Sequence, residues 1–258
     1  MSLRALVLYG YGINCERESR YAVEKSGGAA DIVHINKLLE EPKLLENYNM
    51  LFIPGGFSFG DDLGSGKVFG NKMKVRLREP LEAFMKSEKL VLGICNGFQI
   101  MVKMGLLPEP DFQQRVTLTN NDSGHFEDRW VMLKANRASK CVFTKDIEYI
   151  PLPVRHGEGK FIPRDDTVLA SLKQNNQIAL QYVDEQGQNP AAYPYNPNGS
   201  VADIAGICDP SGRVFGMMPH PEAFNIPENC PLWVKGIVKE AMGLRLFKNA
   251  VEYMTDKG

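Results

Sequence analysis

Short, mostly apolar runs alternate with amphipathic stretches through the first half of the chain. The runs have the length of buried strands and cover residues 5–9, 31–35, 50–53 and 90–94. Residues 16–25 and 71–87 instead place their apolar side chains at helical spacing. Because strands and helices alternate, the pattern predicts a mainly parallel sheet with helices on both faces and ligands at the carboxyl ends of the strands.

The second half has a different pattern, in which short runs follow one another between turn signals. The predicted strands are residues 115–119, 130–134, 148–152, 168–171, 178–183, 204–208 and 214–218. We expect them to be antiparallel and to extend or cover the parallel sheet. Residues 232–253 predict one closing amphipathic helix. Since no linker, repeat or low-complexity tract interrupts the pattern, we expect a single domain over residues 1–258.

The composition is that of an ordinary globular protein, and it argues against several classes of function. Of 258 residues, 43% are hydrophobic and 24% are charged, and the formal net charge is −1. Such a chain offers no strongly basic surface to nucleic acid or to an anionic membrane. It shows no signal-peptide pattern and no long apolar run, and its five cysteines lack paired spacing. We therefore expect a cytoplasmic protein without a transmembrane segment.

Residues 91–99 are the most informative stretch, because a buried strand there runs directly into a helix through Cys95. Gly93 and Gly97 flank the cysteine, and this Gly-x-Cys-x-Gly spacing is the thiol form of a nucleophile elbow. Side chains at the two glycine positions would collide with the strand or the helix. A free cysteine after an apolar run is often plain core packing. The glycine pair favours a nucleophile, whose thiolate the helix N-terminus would stabilise.

A nucleophilic thiol needs a base, and His220 is the candidate. It lies between Pro219 and Pro221, directly after an apolar run, so the backbone that carries the imidazole is stiff. Glu222 stands two residues later, where its carboxylate can accept a hydrogen bond from the second ring nitrogen. A proline-rich turn with an exposed histidine is the alternative interpretation. The elbow upstream favours a triad of Cys95, His220 and Glu222.

Five stretches carry a family resemblance. They are PGGFSFGD at 54–61, GICNGFQ at 93–99, HGEG at 156–159, NPNGS at 196–200 and MPHPE at 218–222. The elbow and the His-Pro-Glu motif resemble class I glutamine amidotransferases in general. The first and fourth stretches are more specific, and with them nearly the whole chain is similar to the glutaminase subunits of phosphoribosylformylglycinamidine synthases. The resemblance implies an α/β fold, a flavodoxin-like three-layer sandwich with a mainly parallel central sheet and added antiparallel strands.

The resemblance also implies a glutaminase that supplies ammonia for purine biosynthesis. In that chemistry the Cys95 thiolate attacks the side-chain amide of glutamine, and His220, oriented by Glu222, protonates the departing ammonia. Water then releases glutamate from a glutamyl thioester. The implied oxyanion donors are the backbone N–H groups of Gly56 and Asn96.

Further residues are implied to contact or surround the substrate. By the same resemblance, Gln99 and the backbone around Arg155 and His156 hold the α-amino and carboxylate ends of glutamine. Asn120 is a weaker candidate for that neighbourhood. Cys15 follows a glycine turn on the same predicted rim, where it has two interpretations, ordinary packing or a position behind the site.

We expect neither a nucleotide site nor a metal site in this chain. The glycine-rich residues 64–68 fail the phosphate-loop pattern, because Val68 stands where the pattern requires Ser or Thr. The four histidines are scattered and show no metal-ligand spacing. The resemblance therefore implies a separate large synthetase subunit, which uses ATP and Mg²⁺ to convert formylglycinamide ribonucleotide to formylglycinamidine ribonucleotide. A small accessory subunit is implied to complete the complex.

Two other functions fit the predicted fold. A stand-alone cysteine hydrolase would use the same elbow on another substrate, but such proteins usually carry the histidine beside the cysteine, where Asn96 stands. A non-catalytic flavodoxin-like binding module would have an unreactive Cys95. Labelling of Cys95 by a glutamine-analogue electrophile separates a glutaminase from the binding module. A comparison of glutamine with peptide substrates separates it from the stand-alone hydrolase.

Overall fold

The computed structural model describes residues 2–62, 64–189 and 191–256. Its first half alternates strands and helices, as the hydrophobic pattern predicts. The elements there are β1 (Arg4–Tyr9), α1 (Glu16–Lys25), β2 (Ala29–His34), α2 (Ile35–Glu40), β3 (Met50–Ile53), α3 (Lys67–Lys86), β4 (Leu90–Ile94) and α4 (Asn96–Met104).

The second half consists mainly of strands. Its elements are β5 (Val116–Thr119), β6 (Glu127–Ala135), β7 (Tyr149–His156), β8 (Lys160–Pro163), α5 (Asp166–Gln174), β9 (Ile178–Val183), β10 (Ile204–Cys208), β11 (Val214–Met217) and α6 (Leu244–Asp256). Short 3-10 turns at Ser58–Asp61 and Pro221–Ala223 follow β3 and β11. Among the described helices, none has both the length and the apolar character needed to cross a bilayer.

Within the described residues, nine strands form one sheet in the order β2-β1-β3-β4-β11-β10-β9-β6-β7. Neighbouring strands are parallel from β2 to β11 and antiparallel from β11 to β7. Strands β5 and β8 pair separately, in antiparallel orientation. The fold is thus α/β, a mainly parallel core extended by antiparallel strands, and the predicted fold class is confirmed.

The parallel strands lie in the apolar core of the molecule. Every residue of β3 and β4 is buried, and so are the four central residues of β1. Helix α1 packs on β1 and β2, while α4 packs on β4 and α3 packs on α4. Because helices cover these strands, their sequences are continuous apolar runs and do not alternate with polar residues.

The register between β4 and β11 determines where the cysteine and histidine motifs of the sequence meet. These strands are parallel, with Gly93 opposite Gly216 and Ile94 opposite Met217. The Cys95 N–H donates a hydrogen bond to the Met217 carbonyl oxygen at 2.8 Å. The segments that follow the two strands therefore leave the sheet side by side, although they are far apart in the sequence.

Residues 168–171 lie in a helix, so their prediction as a strand is wrong. They belong to α5, whose N-cap is Asp165. An Asp165 carboxylate oxygen accepts a hydrogen bond from the Val168 N–H at 2.9 Å, which satisfies one of the free donors at the start of the helix. An apolar run of this length does not distinguish a strand from part of a helix, so the cap was the better signal.

The closing helix is shorter than the sequence pattern predicts. It begins at Leu244, not near residue 232. Upstream, Gly236 ends a short 3-10 turn with φ 69°, a left-handed conformation that stops a helix. A side chain on Gly243 would overlap the Pro221 carbonyl oxygen, so the chain packs closely on the turn that follows β11 before α6 begins.

Candidate active site

Cys95 lies at a sharp turn between β4 and α4. Its backbone angles are φ 51° and ψ −106°, a conformation that residues with side chains rarely adopt outside functional sites. A Cβ on Gly97 would overlap the Ile53 carbonyl oxygen, and one on Gly93 would lie 2.8 Å from the Gly97 carbonyl carbon. The two glycines therefore allow the elbow to form, because a side chain at either position would collide with neighbouring backbone.

The Cys95 thiol faces the end of β7 and the start of α4. Cys95 is only 5% exposed, and its Sγ lies 3.7 Å from the Arg155 carbonyl oxygen. At the N-terminus of α4 the first backbone N–H groups have no partner within the helix. The positive end of this helix can stabilise a developing oxyanion.

His220 is held on a stiff turn after β11. Its N–H donates to the Pro153 carbonyl oxygen at 2.8 Å, and its Nδ1 lies 2.5 Å from Glu222 Oε1. His220 and Glu222 are 3% and 1% exposed, and Cys95 is close enough to the same imidazole to raise its pKa. The structure thus brings together the three side chains that the sequence nominates as a triad.

The groups around His220 favour its protonated form. Burial alone lowers the pKa of this imidazole, but the Glu222 carboxylate and the Cys95 thiol outweigh burial and hold the pKa well above its ordinary value. In the described part of the chain, the buried Nε2 has no hydrogen-bond partner at normal distance. A protonated Nε2 near a thiol is the arrangement from which imidazole can act as acid and then as base.

A second thiol, that of Cys15, lies next to the histidine. Cys15 Sγ, a ring nitrogen of His220 and a Glu222 oxygen all lie within 4.8 Å of one another. Burial raises the pKa of Cys15, so its thiol stays protonated at neutral pH. Cys15 had two interpretations, ordinary packing or a position behind the site, and the structure favours the second. These groups have the chemistry of zinc ligands, but a hydrogen bond already joins His220 to Glu222.

Gly56 lies on the loop after β3, close to the elbow. It adopts φ 152°, and a Cβ on it would lie 2.6 Å from Ile13 Cα, so only glycine fits there. The Asn96 Oδ1 accepts a hydrogen bond from the Ser58 N–H at 3.2 Å, which ties the start of α4 to the same loop. Gly56 and Asn96 are therefore held on segments that bond to each other.

Gln99 is buried, and its amide is used within the protein. Its Nε2 donates to the Glu158 carbonyl oxygen at 2.6 Å, and its Oε1 accepts from Asn96 Nδ2 at 2.9 Å. Both polar atoms of the side chain are thus engaged. Gln99 fastens the loop after β7 to α4 and does not point an unpaired group outward.

His156 is also buried, beside Arg155, whose side chain is exposed. Asn198 Nδ2 lies 3.0 Å from His156 Nε2, and the Asn121 side-chain amide donates to the His156 carbonyl oxygen at 2.7 Å. Burial, and then the charge of nearby His220, lowers the pKa of His156 to about 3. His156 is therefore neutral and anchors the end of β7, while Arg155 presents its backbone carbonyl to the thiol.

A groove of about 410 Å³ lies beside the elbow. It is formed by the loops that follow β3, β5 and β7. Its lining residues are Phe57, Asp61, Ser65, Asn120, Gly124, His125, Phe126, Gly157 and Glu158. A larger hollow of about 710 Å³, between α6 and residues 136–148, shares no residue with this groove. Asn120, a candidate from the sequence, is one of the residues that line this groove.

Two carboxylates of the groove, Asp61 and Glu158, have no binding role in the prediction from sequence, which considers Glu158 only as a catalytic partner of His156 and favours a substrate-contacting turn instead. Both stand in stretches that carry the family resemblance, at 54–61 and 156–159. An acidic residue after a glycine turn at the end of a parallel strand was an available signal. Sequence spacing does not relate two stretches that lie so far apart, so only the fold shows that the two carboxylates line one groove.

Comparison with known proteins adds to this geometry. The family model for the CobB/CobQ-like glutamine amidotransferase domain matches residues 2–254. A protein from Methanococcus maripaludis is 47% identical, and the match covers 97% of each chain. A protein from Dehalococcoides mccartyi is 44% identical, again over 97% of each chain. Both are named phosphoribosylformylglycinamidine synthase subunit PurQ.

A solved structure shows the same likeness in three dimensions. It is the structure of PurLQS from Thermotoga maritima, in which one chain is 31% identical to this one with a TM-score of 0.72. The match covers 98% of this chain and 100% of that chain. It therefore extends over both the parallel and the antiparallel halves of the sheet.

Proposed function

Since the chain belongs to the family of phosphoribosylformylglycinamidine synthase PurQ subunits, within the CobB/CobQ-like glutamine amidotransferases, we propose that it hydrolyses glutamine through Cys95, His220 and Glu222. The observation that carries the proposal is Cys95, held at φ 51° near a histidine that a carboxylate orients. This is the relation of nucleophile, base and orienting group in cysteine hydrolases. The whole chain acts as one catalytic domain in this proposal.

In the first half of the reaction, ammonia is released. The Cys95 thiolate attacks the carboxamide carbon of glutamine, forming a C–S bond and a tetrahedral oxyanion. His220 gives its Nε2 proton to the amide nitrogen as the C–N bond breaks, so the products are ammonia and a glutamyl thioester. The raised pKa of His220 supports this role, because it keeps a proton on the imidazole before the attack.

In the second half, water releases glutamate. Neutral His220 accepts a proton from water, whose oxygen attacks the thioester carbon and displaces the sulfur. The C–S bond breaks, and Cys95 and His220 return to their starting forms. Glu222 holds the imidazole through Nδ1 in both halves, which keeps Nε2 directed at the reacting atoms.

The oxyanion is stabilised by backbone N–H groups of Gly56 and Asn96 in this mechanism. The hydrogen bond from the Ser58 N–H to Asn96 Oδ1 supports the pairing, because it fixes the two segments relative to each other. Each such donor contributes about 3 kcal/mol to the stability of a tetrahedral intermediate.

Substrate contacts are assigned to the end of β7. The backbone of Arg155 and His156 lies beside the thiol and holds the amino-acid end of glutamine, as the family resemblance implies. The contact between Cys95 Sγ and the Arg155 carbonyl oxygen supports this placement. Gln99 acts through its hydrogen bond to the Glu158 carbonyl oxygen, which positions the loop that the substrate would meet.

The ammonia is delivered to another chain. We assign the ATP-dependent step to a separate large synthetase, which carries ATP and Mg²⁺ and converts formylglycinamide ribonucleotide to formylglycinamidine ribonucleotide. A small accessory subunit joins the complex, and this chain carries no cofactor. The similarity to a chain of PurLQS from Thermotoga maritima supports such an assembly.

The direct test is the Cys95→Ala variant in the presence of the synthetase. We expect release of ammonia and glutamate to fall more than about a thousandfold, because the nucleophile is lost. Cys141→Ala is the matched control, since Cys141 is also buried but lines the remote hollow, and it should keep normal turnover. Circular dichroism checks that both variants are folded. Undiminished turnover by Cys95→Ala would remove the nucleophile assignment.

A further inference from the structure

Contacts of the chain connect the groove beside the elbow to the segments that carry Cys95. The Cys95 Sγ lies 3.7 Å from the Arg155 carbonyl oxygen, and Gly157, two residues further along, lines the groove. Asn96, which follows Cys95, places its Nδ2 3.5 Å from Oδ1 of Asp61, another lining residue. In glutamine, the amino nitrogen lies about 5 Å from the carboxamide carbon, by standard bond lengths. A glutamine whose carboxamide lies at Cys95 therefore needs a site for its amino-acid end on neighbouring loops, and the groove is formed by such loops.

Two carboxylates line this groove from opposite loops. Asp61 lies on the loop after β3 and Glu158 on the loop after β7. The Ser65 N–H donates to Glu158 Oε2 at 3.3 Å, and Asn96 Nδ2 lies 3.5 Å from Asp61 Oδ1. These hydrogen bonds connect both carboxylates to the segments that carry the proposed nucleophile and oxyanion donors.

Across residues 2–62, 64–189 and 191–256, neither Asp61 nor Glu158 forms an ion pair. Lys103 is close enough to Glu158 for their charges to interact, but the Lys103 ammonium group donates its hydrogen bond to Thr117 Oγ1 at 2.9 Å. Burial, together with the charges of Glu158 and Asp62, raises the pKa of Asp61. A positive charge placed between the two carboxylates would relieve this repulsion.

We propose that Asp61 and Glu158 bind the α-ammonium group of glutamine and so select an amino acid over other carboxamides. This inference rests on the proposed glutaminase function. An ammonium group has three donors and suits two converging carboxylates, since charge-assisted hydrogen bonds are stronger than neutral ones. A substrate without the ammonium group would cover both carboxylates without giving them a positive partner, which costs binding energy.

The test compares glutamine with 4-carbamoylbutanoate, which is glutamine without its α-ammonium group. In the complex with the synthetase, we measure KM for glutamine and the inhibition constant of 4-carbamoylbutanoate as a competitor. The Asp61→Asn and Glu158→Gln variants should each raise KM for glutamine at least about tenfold, with kcat within a few-fold of wild type. The inhibition constant of 4-carbamoylbutanoate should stay equal or decrease, because this compound makes no contact that the variants remove.

The Glu79→Gln variant is the matched control. Glu79 is exposed on α3 and does not line the groove, so both constants should stay at their wild-type values. The inference is overturned if the groove variants leave KM for glutamine unchanged, or if they raise both constants equally, as a distorted site would. A wild-type complex that does not hydrolyse glutamine would instead overturn the proposed function, and this inference with it.

Discussion

At the scale of single residues, the reactivity of the site depends on how Glu222 affects His220. The carboxylate lies 2.5 Å from Nδ1, in a place where both side chains are almost fully buried. Together with Cys95 and Cys15, it outweighs the burial that would otherwise lower the pKa of the imidazole. The same carboxylate therefore fixes the direction of the ring and helps to keep on His220 the proton that the departing ammonia needs.

We expect the Glu222→Gln variant to lower kcat about a hundredfold or more, because the imidazole loses both its charge partner and its orientation. The pKa of His220 should fall, since the charge that raises it is removed. His220 would then lose its proton at lower pH, so the alkaline limb of the kcat/KM profile should move to lower pH. A pH profile of glutamine hydrolysis measures this. An alkaline limb at the wild-type position would contradict the assignment.

His156 should make the protein less stable in mild acid. Its folded pKa is about 3, below the ordinary 6.5 that it regains on unfolding, so below pH 6.5 the unfolded chain binds the extra proton. Stability is then lost as pH falls, by about 2 kcal/mol between pH 6.5 and 4.5. Denaturant unfolding at the two pH values measures the loss. His156→Asn should show a smaller loss than wild type, and a control His125→Asn variant should show the wild-type loss.

At the scale of elements, the elbow depends on the close approach of α4 to the end of β3. Gly97 is the contact point, because a Cβ there would overlap the Ile53 carbonyl oxygen. We expect Gly97→Ala to reduce the free energy of unfolding by more than about 3 kcal/mol. Gly124→Ala is the control, because a Cβ there meets nothing within 4 Å, and only its φ of 68° costs about 1 kcal/mol. Equal losses for the two variants in denaturant titrations would show that the close contact is unimportant.

Elements with a strong local signal could be predicted from the sequence, and the rest could not. Strands β3 and β4 are continuous apolar runs because they are buried, and Gly93 and Gly97 mark the turn by their spacing. The error at 168–171 arose because a short apolar run fits both a strand and a helix. The error at 232–253 arose because Gly236 stops the helical pattern locally through its left-handed φ, while Gly243 lies in close tertiary contact with Pro221.

The site shows the same division between local and long-range information. Cys95 and His220 could be predicted because glycines or prolines flank each of them. The groove carboxylates Asp61 and Glu158 could not, because nothing local indicates that their loops meet. The position of Cys15 beside His220 is also long-range information, because it depends on the path that the chain takes after β1.

At the scale of the whole molecule, the order of the sheet brings the site together. Parallel β4 and β11 are neighbours, so Cys95 and His220 leave the same edge of the sheet. Antiparallel β7 ends next to them and carries Arg155 to the thiol. The two halves of the sheet therefore meet at the site, and the antiparallel extension is part of the proposed enzyme and not an accessory to it.

The isolated chain should be a weak glutaminase, and the synthetase should activate it at least about tenfold. Phe57 and Phe126, at the mouth of the groove, are 45% and 52% exposed, and their rings lie 6.2 Å apart. A partner that covers these rings would hold the loops around the groove in place. Ammonia release measured with and without the synthetase tests this. Equal rates would mean that hydrolysis and ammonia use are not coupled through docking.

The most direct measurement of the proposed chemistry is to trap the covalent intermediate. The complex is mixed with glutamine, quenched in acid within its first turnovers, digested and analysed by mass spectrometry. We predict a glutamyl group on the peptide that contains Cys95, and none on the peptide that contains Cys15. Glutamine hydrolysis at the wild-type rate by the Cys95→Ala variant, with no such adduct in the wild type, would contradict the central claim.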